Sequence, residues 1–476
     1  MEFISKIDGI FYAHNGGKFD YHFLLDYLEP HTPIMLIHGR LAKFRIGRAE
    51  FRDSMSILPI ALAQYKKDDF DYSLMEKELR DLPENRERIR AYLKNDCVYL
   101  HELVTKFRDQ YGGHLTLASS SMAAWEKMRG IKVPDSGNHF YTHFRAFYYG
   151  GRVECRERGI LKGEFHLADI NSAYPYAMLQ QHPFDIGYSH PSHGIVGHGF
   201  YIVRARANGC FPWRDEVERS LSFPADNEMR NWPITGWELL AALELNLLRD
   251  YEILERTEFA ETINFNDYIL HHYKSKRDAK DKGDKASELF HKLMLNSLYG
   301  KFGANPTNYK TRQIAEPDFV DDDRYQLEGY LGEGKWAVVK DTKSISKSKF
   351  YNVATAASIT GFERSYLLRS LIQCADTPLY MDTDCILARS FNNLDYGKEL
   401  GQWDNQGLYT EIALGGKKLY GFKGPDGIKL ASKGARLTYD EIARVAKGES
   451  VQYSADAPTF SLYRGVDFLE RNVTLT

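Results

Sequence analysis

The first 140 residues alternate short strand-like runs of apolar residues with polar, turn-forming segments. The strand-like runs are FYAHN, PIMLIHG, KFRIG and AEFRDS, and a helical pattern follows them and ends near Leu103. Strands that alternate with helices are typical of an α/β domain. The turn-rich segment VPDSG at residues 133–137 then predicts a break before the next domain.

In the rest of the chain, longer helical patterns alternate with strand-like runs. HLADI predicts a strand, and WELLAALELNLL, KLMLNSLYGKFG (292–303) and VATAASITGFERSYLL (353–368) predict helices. Between the last two, residues 305–348 are polar and predict irregular structure. A chain of 476 residues exceeds a usual single domain, so we expect two or more, each with a sizeable core.

Two short acidic stretches carry the chemistry. DINSAYP at 169–175 contains Asp169, and YMDTDC at 380–385 contains Asp382 and Asp384. If the second stretch is a strand, alternation sends both of its carboxylates to one face. An Asp-x-Asp alone is equally compatible with a solvated hairpin tip. Gathered carboxylates, however, are tolerated where divalent cations lie between them, and two Mg²⁺ ions held in this way support in-line phosphoryl displacement.

A third element lies between the two acidic stretches. On a helix, Lys292, Asn296, Tyr299 and Gly300 share one face, because they recur at offsets of four, seven and eight. This face offers a cation, an amide, an aromatic ring and a gap without a side chain. Such a set matches a triphosphate and a flat base that lie along the helix.

The three stretches, in this order, resemble motifs A, B and C of the family B DNA polymerases. The wording KLMLNSLYGKF resembles the protein-primed subgroup, the polymerases of small linear-genome phages and linear plasmids. Further segments match in order: YYGGRVE at 148–154 resembles the linker between exonuclease and polymerase domains, KKLYGF at 417–422 resembles the KxY motif, and KGA at 433–435 resembles the stretch after it. The resemblance covers nearly the whole chain.

The fold implied by the resemblance is multidomain, α/β and α+β. It combines a ribonuclease H-like exonuclease domain, incomplete at its N-terminus, with a right-hand palm, fingers and thumb polymerase domain. The implied divisions are a partial 3′–5′ exonuclease-like domain at 1–140, a linker at 141–160, a first palm part with the first terminal-protein region at 161–270, fingers at 271–304, a second terminal-protein region at 305–350, a second palm part at 351–430 and a thumb at 431–476.

The resemblance also implies catalytic roles. Asp169 and Asp382 would bridge two Mg²⁺ ions, with Mn²⁺ as a substitute, and Asp384 would coordinate more closely or from the outer sphere. One ion would lower the pKa of the primer 3′ hydroxyl, and the other would neutralise the leaving pyrophosphate. Lys292 would supply a cation to the triphosphate and protonate the leaving group.

For the incoming dNTP, Tyr174 resembles the steric gate that leaves no room for a 2′ hydroxyl. The alternative for Tyr174 is a core aromatic beneath the sheet. Tyr299 would stack near the nascent pair, Asn296 would steady the helix face, and Ser172 and Gly300 complete the expected nucleotide-binding set.

The basic segment YKSKRDAKDKGDK at 273–285 is either a solvated helical face or a source of Arg277 or Lys280 for the triphosphate. The primer-template backbone would be held by phosphate contacts, which position a duplex without reading its sequence. The residues assigned to DNA binding in this way are Tyr148, Gly150, Gly151, Lys418 and Tyr420.

Two positions depart from the subgroup pattern. Motif A has SAY where SLY is common, so Ala173 changes packing. Motif C ends in Cys385 where Ser is usual, which removes a hydroxyl donor and predicts lowered or oxidation-sensitive activity.

A weaker constellation lies upstream. HNGGKFD at 14–20 resembles the second exonuclease motif, with Asn15 and Asp20, and YLKND at 92–96 resembles the third, with Tyr92 and Asp96. The family's first motif supplies an Asp and a Glu two residues apart, and MEFISKIDGIFYAH has no such pair. Since excision also uses two metals, we expect it to be missing or impaired. A gene start placed too far downstream, a fragment or a natural loss would each explain the pattern, and Asp20 and Asp96 would then be residual exonuclease residues or ordinary scaffold residues.

Composition adds limits rather than a function. Lys plus Arg number 62 against 65 for Asp plus Glu, a net charge of −3, so positive charge must be placed locally if the protein binds DNA. Five cysteines without metal-like spacing favour a reduced, cytoplasmic protein, in the host if it is viral. The sequence has no long apolar run and no signal-like start, which argues against membrane association and secretion.

The predicted function is therefore template-directed addition of dNTPs to a primer 3′ end, with DNA primer-template as partner, a terminal protein as a possible primer, and a monomeric enzyme. Two rival hypotheses stay open at this stage. One is a catalytically silent polymerase-like module that binds DNA or a terminal protein, and the other is a nuclease, which the missing first motif opposes.

Overall fold

The structure is a computed structural model that describes residues 3–37, 39–189, 193–215, 220–316, 318–331, 336–344, 349–461 and 465–475. Parts of the predicted divisions 1–140, 161–270, 305–350 and 431–476 therefore lie outside the described residues.

The N-terminal residues form an α/β unit, as predicted. Its elements are β1 (Gly9–Ala13), β2 (Pro33–Ile37), β3 (Arg40–Ile46), β4 (Ala49–Asp53), α1 (Pro83–Tyr111), α2 (Leu117–Arg129) and α3 (Gly137–Arg145). β1 pairs with β4 in parallel, whereas β2 with β3 and β3 with β4 pair antiparallel. α1 runs past the predicted end near Leu103 because Val104 and Phe107 are also buried, and Gly112, whose φ of 82° few other residues adopt, caps its C-terminal end.

The segment after residue 305 extends this same sheet. It contributes β14 (Arg312–Ala315), β15 (Tyr325–Leu331) and β16 (Trp336–Asp341), and the strand order is β1-β4-β3-β2-β14-β16-β15. The prediction of irregular structure across 305–348 is therefore wrong. The polar composition of this segment comes mainly from the acidic run between β14 and β15. The short strands on either side of that run bury apolar residues such as Ile314 and Val338 almost fully.

A second seven-stranded sheet carries the two acidic stretches. Its strands are β5 (Val153–Cys155), β6 (Gly159–Ile170), β17 (Tyr380–Asp382), β18 (Cys385–Ala388), β19 (Trp403–Gly416), β20 (Leu419–Gly424) and β21 (Gly427–Ser432). The strand order is β21-β20-β19-β6-β18-β17-β5, and all neighbouring pairs are antiparallel.

Six further helices follow in the part of the chain that the structure describes. The predicted helices over 292–303 and 353–368 are confirmed as parts of α7 and α8, and α8 is buried along most of its length. The helix predicted over WELLAALELNLL ends early, because Asn246 has a φ of 52° and starts the turn into a strand. These helices are α4 (Ala173–Ala177), α5 (Gly236–Glu244), α6 (Asn266–Asp281), α7 (Lys285–Phe302), α8 (Val353–Leu371) and α9 (Tyr439–Ala446).

The remaining strands form small antiparallel sheets, and 3₁₀ turns link several elements. The strands are β8 (Phe200–Ala207) with β11 (Met229–Thr235) and β12 (Leu248–Thr257), β9 (Trp213–Arg214) with β10 (Leu221–Ser222), β7 (His182–Pro183) with β13 (Thr262–Ile263), and β22 (Val451–Ser461) with β23 (Gly465–Leu475). The 3₁₀ turns are Ile4–Lys6, Asp20–Tyr27, Ser54–Ser56, Leu62–Gln64, Tyr72–Met75 and Pro306–Asn308.

The largest apolar core joins the N-terminal helices to α7 and α8. Phe107 of α1 and Trp125 of α2 pack in the same cluster as Met294 and Phe302 of α7 and Ile359 of α8. The helix that carries Lys292 is thus held from the N-terminal side. Among the described residues, no helix combines the length and apolar character needed to cross a membrane.

Candidate active site

The three aspartates meet at the centre of the second sheet. Asp169 lies near the end of β6 and pairs with Cys385 of β18 on one side and with Asp404 of β19 on the other. The backbone N–H of Ile170 donates to the carbonyl oxygen of Asp384 at 2.7 Å. The fold therefore brings residues more than 200 positions apart in the chain into direct backbone contact.

Asp384 lies in a hairpin turn rather than on a strand. β17 ends at Asp382, which pairs with Cys385, and Thr383 and Asp384 form the turn between them. Thr383 has a φ of 62°, which the turn requires. The prediction that Asp382 and Asp384 project from one face of a strand is wrong in this respect, because the chain reverses between them.

Burial and neighbouring carboxylates raise the pKa of both Asp169 and Asp384. Burial, followed by the charge of Asp384, raises the pKa of Asp169 to about 6, with Asp404 acting in the same direction and Lys429 against it. Burial, followed by the charge of Asp382, also raises the pKa of Asp384. Half-buried carboxylates crowded in this way gain most from a cation placed between them.

Asp382 already has a cationic partner. The Nζ atom of Lys418 lies 2.7 and 2.8 Å from its two carboxylate oxygens, and the hydroxyl of Tyr380 donates to it at 3.2 Å. The backbone N–H of Lys418 donates in turn to that hydroxyl at 3.0 Å. Lys418, predicted to contact DNA, is thus engaged with Asp382 in this structure.

The segment YYGGRVE supports the turn from behind. The N–H of Thr383 donates to the carbonyl oxygen of Arg152 at 2.7 Å. A Cβ placed on Gly151 would lie 2.6 Å from the Cγ2 of Thr383, whereas one on Gly150 would meet no atom within 4 Å. Gly151 therefore has a local reason to be glycine, while Gly150 is exposed and free of that constraint.

Arg364 of α8 is a site residue that the sequence reasoning missed. It is fully buried, ion-paired with Glu238 at 2.8 Å, and its Nη1 donates to the carbonyl oxygens of Tyr149 and Gly150 at 2.9 and 3.0 Å. The signal was present in the sequence, because an arginine inside a run of buried helix positions needs a dedicated partner.

The predicted face of α7 exists. Lys292, Asn296 and Gly300 are exposed, and the amide of Asn296 donates to the carbonyl oxygen of Lys292 at 3.0 Å. Tyr299 is half-buried and stacks on Tyr174, with ring centroids 4.3 Å apart and planes 15° apart. The helix thus presents a cation and an amide on its exposed face and an aromatic pair near its end.

The residues around this pair are tightly placed. Ser172 has a φ of 55° and begins α4, which carries Tyr174, and its carbonyl oxygen accepts from the N–H of Tyr176 at 2.9 Å. The ring of Tyr148 fills the space beside Gly303, where a Cβ would lie 2.4 Å from it. Tyr148 therefore acts here as packing for the end of α7.

Lys276 and Lys292 lie close enough for their charges to interact. Lys276 of α6 is half-buried, and its pKa is lowered by burial and then by the charge of Lys292. Arg277, one of two candidates for the triphosphate, is instead ion-paired with Glu399 at 2.8 Å, and Lys280 is exposed. Lys276 is the second residue that the sequence reasoning missed, although it belongs to the basic segment.

A cleft of about 880 Å³ is lined by Asp382 and by basic residues. Tyr420 of β20 is stacked on Phe422 at 4.3 Å and edge-on to Tyr380 at 5.1 Å. Burial, followed by the charge of Asp169, raises the pKa of the Cys385 thiol to about 12, which disfavours the reactive thiolate. The residues lining the cleft include Gly151, Asp382, Lys417, Lys418, Lys433 and Gly434.

The N-terminal constellation is partly assembled. Asn15 has a φ of 63°, and its N–H donates to Asp53 at 3.0 Å. Asp20 and Asp96 both lie close enough to Cys97 for their charges to raise its pKa, although burial is the larger cause. Tyr92 stacks on Phe70 at 4.4 Å. The two carboxylates therefore share one region of the surface.

Comparison with known proteins supplies the relatives. The sequence profile of the family described as DNA polymerase type B, organellar and viral, matches residues 62–383. A DNA-directed DNA polymerase of Enterobacteria phage PRD1 is 34% identical, over 98% of this chain and 88% of its own. The DNA polymerase of Bacillus phage phi29 is 23% identical over 88% of this chain and 79% of its own. A probable DNA polymerase of Agaricus bitorquis is 23% identical over 76% of this chain and 52% of its own.

Solved structures agree in fold. Phi29 DNA polymerase complexed with primer-template DNA and incoming nucleotide superposes with a TM-score of 0.77 at 18% identity, covering 100% of this chain and 92% of that one. The same polymerase complexed with single-stranded DNA superposes with a TM-score of 0.74. The predicted fold class, an exonuclease-like domain joined to a right-hand polymerase domain, is confirmed by this likeness.

Proposed function

Since this chain belongs to the organellar and viral type B DNA polymerases, protein-primed subgroup, and is a DNA-directed DNA polymerase, we propose that Asp169 and Asp384 form its principal metal-binding pair. The observation that carries this proposal is the hydrogen bond from the N–H of Ile170, next to Asp169, to the carbonyl oxygen of Asp384, together with the raised pKa of both carboxyls. It revises the predicted pairing of Asp169 with Asp382, because Lys418 already neutralises Asp382.

The donor set fits magnesium. Half-buried carboxylate oxygens such as those of Asp169 and Asp384 are the hard ligands that Mg²⁺ or Mn²⁺ prefers. When bound, two such ions would supply a lowered pKa to the primer 3′ hydroxyl and neutralise charge on the leaving pyrophosphate. Asp382 would act as a third carboxylate shared with Lys418.

The protein residues then position the reactants. Lys292, with Lys276 beside it, would bind the β- and γ-phosphates and favour the charge that develops on the leaving group. Tyr174 and Tyr299 would form the wall beside the sugar and base, and Asn296 and Gly300 would leave room along the helix. Lys417, Lys418 and Lys433 would hold the primer-template backbone through its phosphates, beside Tyr420.

Primer extension with labelled dNTPs tests the assignment and excludes a silent DNA-binding module. We expect Asp169→Asn and Asp384→Asn each to lower the rate of incorporation by roughly 10³-fold, the scale of losing a main electrostatic group. Asp382→Asn should cost clearly less, because it also frees Lys418. Equal losses at Asp382 and Asp384 would contradict the pairing, and an inactive wild-type chain would support the silent module.

Protein priming is the second part of the proposal. Membership of the protein-primed subgroup supports a terminal protein as primer, with its hydroxyl in place of the 3′ end at the same aspartates. The test is transfer of a labelled dNMP to a terminal protein encoded by the same genome. Asp384→Asn should abolish the transfer, and a chain that extends DNA primers but labels no such protein would reject the idea.

Impaired proofreading is the third part. The 476-residue chain carries Asn15, Asp20, Tyr92 and Asp96, without the acidic pair that would complete a two-metal site. We propose that this chain excises a labelled 3′ end slowly or not at all, and that it works as a monomer in the host cytoplasm. Brisk Mg²⁺-dependent excision that Asp96→Asn removes would overturn the proofreading proposal.

A further inference from the structure

Three histidines meet between α6 and α7, away from the aspartates. His271 and His272 lie on α6 and His291 lies on α7, and one ring nitrogen from each falls within 4.8 Å of the other two. The ring centroids are separated by 5.0 Å for His271 and His272, 5.0 Å for His272 and His291, and 5.9 Å for His271 and His291. Nothing in the proposed polymerase chemistry uses these side chains.

We propose that His271, His272 and His291 bind a divalent transition-metal ion of the zinc class and thereby clamp α6 to α7. Imidazole nitrogen suits Zn²⁺, Ni²⁺ and Cu²⁺, whereas the oxygen ligands of the catalytic aspartates suit Mg²⁺. Three protein nitrogens leave one position of a tetrahedral ion for water. The class of ligand is therefore distinct from that of the active site.

The distances are close to those of such a site. The Nδ1 atoms of His272 and His291 lie 2.8 Å apart. Tetrahedral coordination with Zn–N bonds of about 2.0–2.1 Å places ligand nitrogens about 3.3 Å apart, so the pair must open by roughly half an ångström. Without an ion, a single proton shared between the two Nδ1 atoms is the only bond that this contact can make.

The environment favours the ligand form of the imidazoles. Burial, followed by the charges of His291 and His271, lowers the pKa of His272 to about 3, and burial lowers that of His291 to about 4. Neutral imidazole is the form that binds metal. His271 is exposed, which gives an ion a path from solvent, and the hydroxyl of Tyr111 of α1 lies 3.5 Å from the Nδ1 of His291.

The histidine cluster lies next to the lysines proposed to bind the triphosphate. His291 directly precedes Lys292, and His272 lies one helical turn before Lys276. An ion bound there would fix the register of the two helices that carry these lysines. The link to nucleotide binding rests on the proposed function, whereas metal binding and the clamp itself do not.

The first experiment measures binding directly. The chain is purified through EDTA with Asp169→Asn and Asp384→Asn in place, so that the catalytic carboxylates contribute nothing, and is titrated with Co²⁺. We expect one equivalent per chain, with the intense visible absorption of tetrahedral cobalt, and displacement by Zn²⁺. Because this chain is catalytically silenced, the result is independent of whether the polymerase proposal holds.

Variants then assign the ligands. His271→Gln is the main variant because this side chain is exposed and its loss leaves no buried cavity, and we expect it to weaken Co²⁺ binding by about 100-fold or more. His272→Gln and His291→Gln should do the same where they fold. His101→Gln, an exposed histidine on α1, is the matched control and should bind like the parent.

Hydrogen exchange tests the clamp. One equivalent of Zn²⁺ should slow amide exchange along α6 and α7 in the parent and in His101→Gln, and should leave His271→Gln unchanged. The site would be overturned if the parent bound no cobalt, or if His271→Gln bound cobalt as strongly as the parent. Binding without added protection of the two helices would overturn the clamp.

Discussion

Glu363 stands in the middle of α8 with both carboxylate oxygens buried and with no hydrogen-bond partner among the described residues. Burial raises its pKa well above the usual value; the charges of Asp384 and Glu238 add to this, and Arg364 opposes it. A carboxyl in such a place favours its neutral form, because ionisation without a partner costs several kcal/mol. It faces the same region as Tyr174, whose pKa it also raises, after burial.

Replacing Glu363 with glutamine should stabilise the protein at high pH. The pKa of Glu363 is raised in the folded state. The free energy of unfolding of the wild type is therefore highest below the pKa of the unfolded state, near 4.5, and falls as the pH rises above it. The loss approaches about 1.4 kcal/mol per pH unit until the folded pKa is reached. Urea denaturation in EDTA should therefore give Glu363→Gln a free energy of unfolding more than 1 kcal/mol above wild type at pH 8, with the two converging near pH 4.5.

The matched control is Glu261→Gln, which makes the same chemical change at an exposed position. It should shift stability by less than about 0.5 kcal/mol at either pH. If Glu363→Gln loses stability equally at both pH values, the carboxyl has a partner that this structure does not contain.

Tyr174 is either a steric gate against the 2′ hydroxyl or a packed core aromatic. Its ring stacks on Tyr299 and is partly buried, an arrangement that fits both a packed aromatic and the proposed wall beside the sugar. We expect Tyr174→Val to raise ribonucleotide incorporation relative to dNTP by at least tenfold, because removing the ring opens space for a 2′ hydroxyl. Single-nucleotide insertion with rNTP and dNTP measures the ratio.

Tyr174→Phe keeps the ring and should leave the ratio within about twofold of wild type. A Tyr174→Val enzyme that stays active with unchanged sugar selection would show that this tyrosine has only a packing role.

At the scale of elements, the site is a turn held by a loop. The β17–β18 turn carries Asp384, and the 148–154 segment backs it through Gly151 and the carbonyl oxygen of Arg152. That segment is in turn anchored by Arg364 on α8. The position of the Asp384 carboxylate thus depends on three elements that are remote in sequence.

Gly151→Ala should displace the turn. The new Cβ would lie 2.6 Å from Thr383, so Asp384 must move with its neighbour. Since misplacement of about 1 Å can cost 10²-fold in rate, we expect kcat for primer extension to fall by 10- to 100-fold with little change in DNA affinity.

Two further variants make this test decisive. Gly150→Ala meets open space and should behave like wild type. Thr383→Gly removes the clashing side chain at a position whose φ of 62° suits glycine, so it should rescue Gly151→Ala at least in part. No rescue would show that Gly151 acts by another route, such as direct approach to DNA.

At the scale of the whole molecule, one sheet unites segments nearly 300 residues apart. β2 pairs with β14 through Ile34 and Arg312, and the N–H of His31 donates to the carbonyl oxygen of Ile314 at 2.7 Å. Ile314 is fully buried in the core that also contains Leu28 and Ile34. The N-terminal unit and the 312–341 insertion therefore form one packed body.

Ile314→Ala should destabilise this shared body by about 2–4 kcal/mol through the cavity it leaves. The effect should reach β3, so amide exchange at Arg40–Ile46 should accelerate although that strand lies some 270 residues away in sequence. Hydrogen exchange with peptide resolution makes the measurement.

Leu327→Ala on β15 is the control, since this side chain is 37% exposed and its loss should leave β3 unaffected. Faster exchange confined to the insertion in Ile314→Ala would mean that the two segments fold independently.

The sequence by itself determined the chemistry that the chain can carry. The order of Asp169, the α7 face and the Asp382–Asp384 pair predicted the family and the right-hand fold, because side-chain identity and local spacing are properties of the chain alone. The helices over 292–303 and 353–368 were predictable for the same reason, since their apolar positions follow one helical period.

Only the tertiary structure decided which of these residues meet. The hydrogen bond of Asp384 with Ile170, the pairing of Asp382 with Lys418, the anchoring by Arg364 and the approach of Lys276 to Lys292 each join separate elements. So do the joining of β14 to β2 and the histidine cluster between α6 and α7. Local pattern cannot specify such contacts, because they depend on how sheets and helices pack once the whole chain has folded.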